Sequence, residues 1–297
     1  MTVKQVIEKI IGRAGLPMRL ENTCDVLVCG SSDMEVRGIV TSFMATAEVI
    51  RKAAEIGANM IITHEPTWFS AADDTGWLAA DPVYLAKKAL LEKTGIAVWR
   101  YHDHMHMRKP DEIYEGITAQ LGWERYAWRA DGRRSPAEPP EVQAPADFAE
   151  SFRDYYDLPE TTVRELAEDI KTKLEMSTVR IVGNPDMPCS RVGILVGGGS
   201  LGLGGEKTPA RTMEKHGIHV MICGDVVEWT LPAYINDAAQ LGLQRALIIA
   251  GHERTEEWGM KHMTGWLTEL TSEGPAPGVP VAFISAKEPY CYPMSTG

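Results

Sequence analysis

No two of the five cysteines (Cys24, Cys29, Cys189, Cys223, Cys291) stand in C-x-x-C spacing, and their number is odd. This argues against a disulfide scaffold and fits reduced thiols in a cytoplasmic chain. Positive charge is also short: 30 Lys plus Arg stand against 41 Asp plus Glu, a net charge of -11. Nothing supplies a wide basic face, which argues against a general nucleic-acid or anionic-membrane binder. No apolar run approaches the ~20 residues of a membrane helix. Residues 1–11 are amphipathic and carry an early acid, so they lack the uninterrupted core of a signal peptide. What is present is ordinary for a globular chain: 297 residues, 44% hydrophobic and 24% charged. That length suggests about two domains at ~150 residues each.

Short β-branched runs alternate with helix-period segments. Helices are expected over 3–11, 45–56, 81–93, 111–121, 162–174, 209–216, 231–241 and 256–270. Strands are expected over 25–28, 37–42, 60–63, 96–99, 179–182, 191–196, 220–223, 244–249 and 281–285. The alternation predicts βαβ units and hence a two-lobed α/β protein of mainly parallel sheets flanked by helices. Residues 130–146 hold Pro136, Pro139, Pro140 and Pro145 without apolar period, and read as a linker or insert. The expected division is 1–129, 130–146 and 147–297, with the C-terminal segment a candidate to pack on the first lobe.

Four strand-like runs end in chemistry-bearing residues. His64-Glu65 follows Met60–Thr63, and His102-Asp103-His104-Met105-His106 follows Ile96–Trp99. Asp225 follows Val220–Cys223, and His252 with Glu256 follows Ala246–Ile249. Ligands gather at the carboxyl ends of strands in open α/β sheets, and imidazole is the commonest side-chain metal ligand. A metal site assembled from distant segments is therefore expected. In an extended segment His102, His104 and His106 share a face. In a helix His102 and His106 share one and His104 points away. Both forms pair His102 with His106. Met105 and Met107 keep copper(I) as a minor option; the carboxylates favour zinc, manganese, iron or nickel. The His252 to Glu256 spacing suits one helix face, though a solvated helix start reads similarly.

Gly197-Gly198-Gly199-Ser200-Leu201-Gly202 fits G-x-G-x-x-G, with Asp225 near the place of a ribose-binding acid. Three readings follow: a dinucleotide site, a backbone loop beside the metals that cradles phosphate, and a plain turn. The second is preferred.

Taken in order, Ile61-Ile62-Thr63-His64-Glu65-Pro66, Ala97 through His106, Cys223-Gly224-Asp225 and Ala250-Gly251-His252 through Glu256 resemble the NIF-three-like family, often labelled GTP cyclohydrolase I type two homologues. The resemblance covers most of the chain. It implies a dinuclear metal centre in a cleft between two α/β lobes and a toroidal homohexamer. Carried over residue by residue, the implied ligands are His64, Glu65, His102, His106, His252 and Glu256. Two depart from the family pattern: Glu65 stands where the family has His, and His106 where it has Asp. The departures are reciprocal and preserve the balance of imidazole and carboxylate. Trp229 takes a further family His position.

The expectation is two divalent ions per chain, with hydrolysis of a nucleotide or other phosphate-bearing small molecule. Glu65 or Asp103 is the candidate general base if not a ligand. The rival readings are a non-enzymatic metal-storage, metal-chaperone or ring-forming scaffold protein, and a nicotinamide-dinucleotide binder.

Overall fold

The computed structural model describes residues 1–15, 20, 22–128, 154–202, 205–272 and 278–293. The proline-rich segment 130–146 lies outside them. The chain forms two compact units, Met1–Gly116 with Glu257–Ala286, and Ile117–Glu256 with Lys287–Gly297.

The first unit is built on β1 (Leu27–Cys29), β2 (Ile39–Ser42), β3 (Met60–Thr63), β4 (Ala97–Arg100) and a late strand, β11 (Val281–Phe283), in the order β1-β4-β3-β2-β11. Only β1 runs antiparallel to its neighbour. β2, β3 and β4 are buried throughout, as their unbroken apolar runs require when both faces of a parallel sheet are covered. The helices are α1 (Val3–Ala14), α2 (Ala47–Glu55), α3 (Pro82–Thr94), α4 (Asp103–Met107) and α5 (Glu112–Leu121), the last continuing into the second unit after Gly116. Thr2, Thr46 and Asp81 cap α1, α2 and α3 by accepting first-turn N–H groups. Ile50, Ile61, Trp68, Leu91 and Val98 share one core cluster of this unit.

The second unit holds β5 (Ala127–Trp128), β6 (Asp154–Thr162), β7 (Arg180–Val182), β8 (Pro188–Leu195), β9 (Val220–Cys223) and β10 (Ala246–Ile249), ordered β5-β6-β8-β9-β10-β7. Here the parallel part is β8-β9-β10, with antiparallel strands on either side. Its helices are α6 (Val163–Lys173), α7 (Thr208–His216) and α8 (Leu231–Gln240). The last helix, α9 (His252–Ser272), begins here and continues in the first unit. It starts four residues earlier than its apolar spacing predicts. Strand β6 has no counterpart among the expected strands. Its ladder with β8 breaks register between Asp157 and Thr161, around Pro159.

Candidate metal centre

Register explains why distant residues meet in the first unit. Strands β3 and β4 are parallel neighbours with Thr63 opposite Arg100, so His64 and Tyr101 leave the sheet side by side. Beyond Tyr101, the short α4 turns back because Asp25 receives its free N–H groups. Asp25 Oδ1 accepts from the backbone of His102 and Asp103, each at 2.7 Å, and Oδ2 accepts from that of His104 at 3.0 Å. The helical alternative for this segment is thus the observed one. His102 and His106 face His64, while buried His104 turns away and holds Asp25 Oδ2 through Nδ1 at 2.6 Å.

His64, His102 and His106 each bring a ring nitrogen to within 4.8 Å of the others. The rings of His64 and His102 stack at 4.4 Å between centroids, and His106 meets both edge-on. Each Nδ1 faces an oxygen: Tyr101 O at 3.3 Å for His64, Asp103 Oδ1 at 3.1 Å for His102, Asp111 Oδ2 at 2.9 Å for His106. A carbonyl or carboxylate oxygen can only accept, so each neutral ring carries its proton on Nδ1 and its lone pair on Nε2. Nε2 of His64 and Nε2 of His106 lie 3.1 Å apart. Two lone pairs at that distance repel unless a proton or a cation lies with them. Outer oxygens that fix the tautomer are the usual surroundings of metal-binding imidazoles. The donor set therefore fits a divalent ion.

Glu65 lies beside this set. Its Oε1 is 3.7 Å from His102 Nε2, and its Oε2 is 3.5 Å from Nη2 of Arg100. Asp103 is differently placed. Burial raises its pKa, but hydrogen bonds from His102, the Cys24 N–H and Thr23 outweigh burial and hold it well below the usual carboxylate range. Such a group is a weak base and a firm orienting partner for His102. The Cys24 thiol is pushed up to about 12, chiefly by burial, and stays protonated at neutral pH.

The second unit repeats the device. Strands β8, β9 and β10 are parallel, with Leu195, Cys223 and Ile249 at matched positions, so Gly197, Asp225 and His252 emerge together. His252 Nδ1 meets Asp225 Oδ2 at 2.7 Å, and its Nε2 meets Glu256 Oε2 at 2.9 Å across one helical turn. Gly197 presses on this pair at φ +47; a Cβ there would lie 2.7 Å from His252 Nε2 and would overlap the Glu256 carboxylate.

The Gly-rich loop thus borders these residues, and four of its N–H groups have acceptors within the protein. The N–H groups of Gly197, Gly199, Gly202 and Gly205 are taken by Thr255 Oγ1, Val196 O, Gly199 O and Gly202 O. A 3-10 turn, Gly197–Leu201, follows β8 where a dinucleotide site needs a helix N-terminus. Asp225 turns to His252. Trp68 is buried beside a cavity of about 600 Å³ lined also by Cys29, Asp73 and Tyr84, whereas Trp229 is 68% exposed. The orienting groups Asp25 and Asp111 were not singled out from sequence. Asp111 had only its place before α5, where its Oδ1 also accepts the Ile113 N–H.

Among curated proteins, the chain is 24% identical over 230 residues to the GTP cyclohydrolase 1 type 2 homolog of Clostridium acetobutylicum, covering 77% of this chain and 76% of that protein. The Clostridium perfringens protein of the same name is 23% identical over 231 residues, covering 77% of each. Among solved structures, a Staphylococcus aureus protein matches with TM-score 0.71 at 19% identity, covering 98% of this chain and 99% of that one. A Bacillus cereus protein related to NIF3 matches with TM-score 0.70 at 17% identity, with the same coverage. These likenesses show a common fold. With a family model matching residues 1–289, the chain belongs to the Duf34/NIF3 (NGG1p interacting factor 3) family.

Proposed function

We propose that this protein binds two divalent metal ions per chain and hydrolyses a nucleotide or other phosphate-bearing small molecule. The ligands are His64, Glu65, His102 and His106 from one set, and His252 and Glu256 from the other. One observation carries the reading: Nδ1 of His64, His102 and His106 all face oxygen acceptors, which turns three Nε2 lone pairs toward one place. When bound, a divalent ion supplies Lewis-acid polarisation of a substrate oxygen and activation of water.

The protein's own groups do the rest. Asp103 and Asp111 keep His102 and His106 in the tautomer that presents Nε2. Asp225 does so for His252. Glu65 adds a carboxylate oxygen 3.7 Å from His102 Nε2. The name of the clostridial relatives, with its nucleotide and its hydrolytic chemistry, agrees with this class of reaction. The test is elemental analysis of purified and reconstituted protein, followed by phosphate-release and ring-opening assays on nucleotides with and without chelator. About two ions per chain and chelator-sensitive turnover are expected. No bound transition metal after reconstitution refutes the proposal. Two ions without turnover favours the metal-storage or scaffold reading.

A further inference from the structure

We infer that Arg100 sets the metal preference of the His64–His102–His106 set by drawing charge from the neighbouring Glu65 carboxylate. This rests on the metal-binding reading above. Arg100 ends β4, and its side chain is only 6% exposed. Its Nε donates to His64 O at 3.1 Å and its Nη1 to Ala71 O at 2.7 Å. Two backbone carbonyls, one of them on a ligand residue, fix the guanidinium in place. Its remaining arm, Nη2, reaches Glu65 Oε2 at 3.5 Å. The other carboxylate oxygen, Oε1, is the one near His102 Nε2.

The consequence is chemical. A carboxylate facing an anchored guanidinium, here at 3.5 Å, presents less effective charge to a metal. Hard, oxygen-seeking ions such as manganese(II) gain most from full-charge carboxylates, whereas zinc(II) is satisfied by imidazole with one weak oxygen. A carboxylate at position 65 by itself hardens the site; Arg100 offsets this and keeps it imidazole-dominated.

The experiment uses the full chain stripped by chelator, with zinc(II) and manganese(II) dissociation constants measured separately by competition. In Arg100→Gln the zinc-to-manganese affinity ratio is expected to fall about tenfold or more, the scale on which outer groups tune metal sites. An unchanged ratio in a variant with native circular dichroism overturns the inference. Glu65→Gln keeps a side-chain oxygen and leaves both backbone bonds of Arg100 intact, so it decides the matter if Arg100→Gln fails to fold. Its zinc affinity is expected to fall less than about tenfold; any greater loss shows a fully charged ligand and overturns the role of Arg100. If the unaltered chain binds neither ion, the metal-binding reading itself falls, which is a separate outcome.

Discussion

Replacing Gly197 by alanine isolates its close approach to His252 and Glu256, the second set of proposed ligands. Gly197 is buried at φ +47, where a Cβ costs about 1–2 kcal/mol in backbone strain alone. The new methyl would also lie 2.5 Å from Glu256 Cδ and 2.7 Å from His252 Nε2, so one or both side chains must move. Glu256 is only 3% exposed, and overpacking of this kind adds about 1–3 kcal/mol. The sum, about 2–5 kcal/mol, lowers the melting midpoint by roughly 4–20 °C. Metal affinity at His252 and Glu256 falls by about 10–100-fold, as when an orienting neighbour is lost. The control is next door: Gly198 has nothing within 4 Å of a built Cβ, so Gly198→Ala changes stability by less than about 0.5 kcal/mol and leaves metal content alone. Thermal melts with elemental analysis of both variants decide it. If the two variants melt alike and load alike, Gly197 is not needed for the placement of His252 and Glu256.

Three further outcomes are expected. Asp111→Asn keeps the Oδ1 that caps α5 but no longer holds His106 Nδ1 as a carboxylate, so metal affinity drops about 10–100-fold with little change in melting; unchanged affinity refutes the orienting role. His104→Ala breaks the buried pair with Asp25 and costs about 2–4 kcal/mol of stability, yet loads metal as the parent does, whereas His106→Ala loses metal at smaller cost; loss of metal from the first variant with its fold intact contradicts the division of roles. Lys87 donates to Thr67 O, and its pKa is pushed down to about 8 by burial, against the opposing pull of Asp73 and Cys29. The unfolded chain then binds the extra proton between about 8 and 10.5, so stability from this group is present above 10.5 and is lost as pH falls to about 8. The difference in stability between the parent and Lys87→Met is therefore pH-dependent across that window; a flat difference counts against the burial of the amine.

The strand-end pattern made most of the site visible in sequence, because parallel strands put their following residues at one edge of a sheet. His64 and His102 needed only adjacent β3 and β4, and His252 with Asp225 only adjacent β9 and β10. What sequence left open was settled by groups far along the chain. Whether residues 102–106 coil depended on Asp25, whose carboxylate caps the turn from a distant loop and selects the helix that points His104 inward. Strand β6 was illegible for a related reason. Asp154–Thr162 carries charges and Pro159 with no alternation, and it is a strand through its pairing with β8 rather than through its own propensity. In the Gly-rich loop, spacing could not tell that Thr255 and the loop itself take the N–H groups of Gly197, Gly199, Gly202 and Gly205.

The two units solve the same problem with the same parts, and this bears on the exchanged residues. Each places an imidazole just after a parallel strand, ties its Nδ1 to an oxygen, and sets a carboxylate near an Nε2: Glu65 by His102 in one, Glu256 by His252 in the other. At position 106, where the family resemblance implies an aspartate, the imidazole has its own carboxylate in Asp111. At position 65, where it implies an imidazole, the carboxylate has its own cation in Arg100. Each departure therefore sits beside a partner that offsets the change in charge. Both partners also serve the fold, Arg100 through the carbonyls of His64 and Ala71 and Asp111 through the first turn of α5, so the same buried charges that offset the exchange are held in place whether or not a metal is bound.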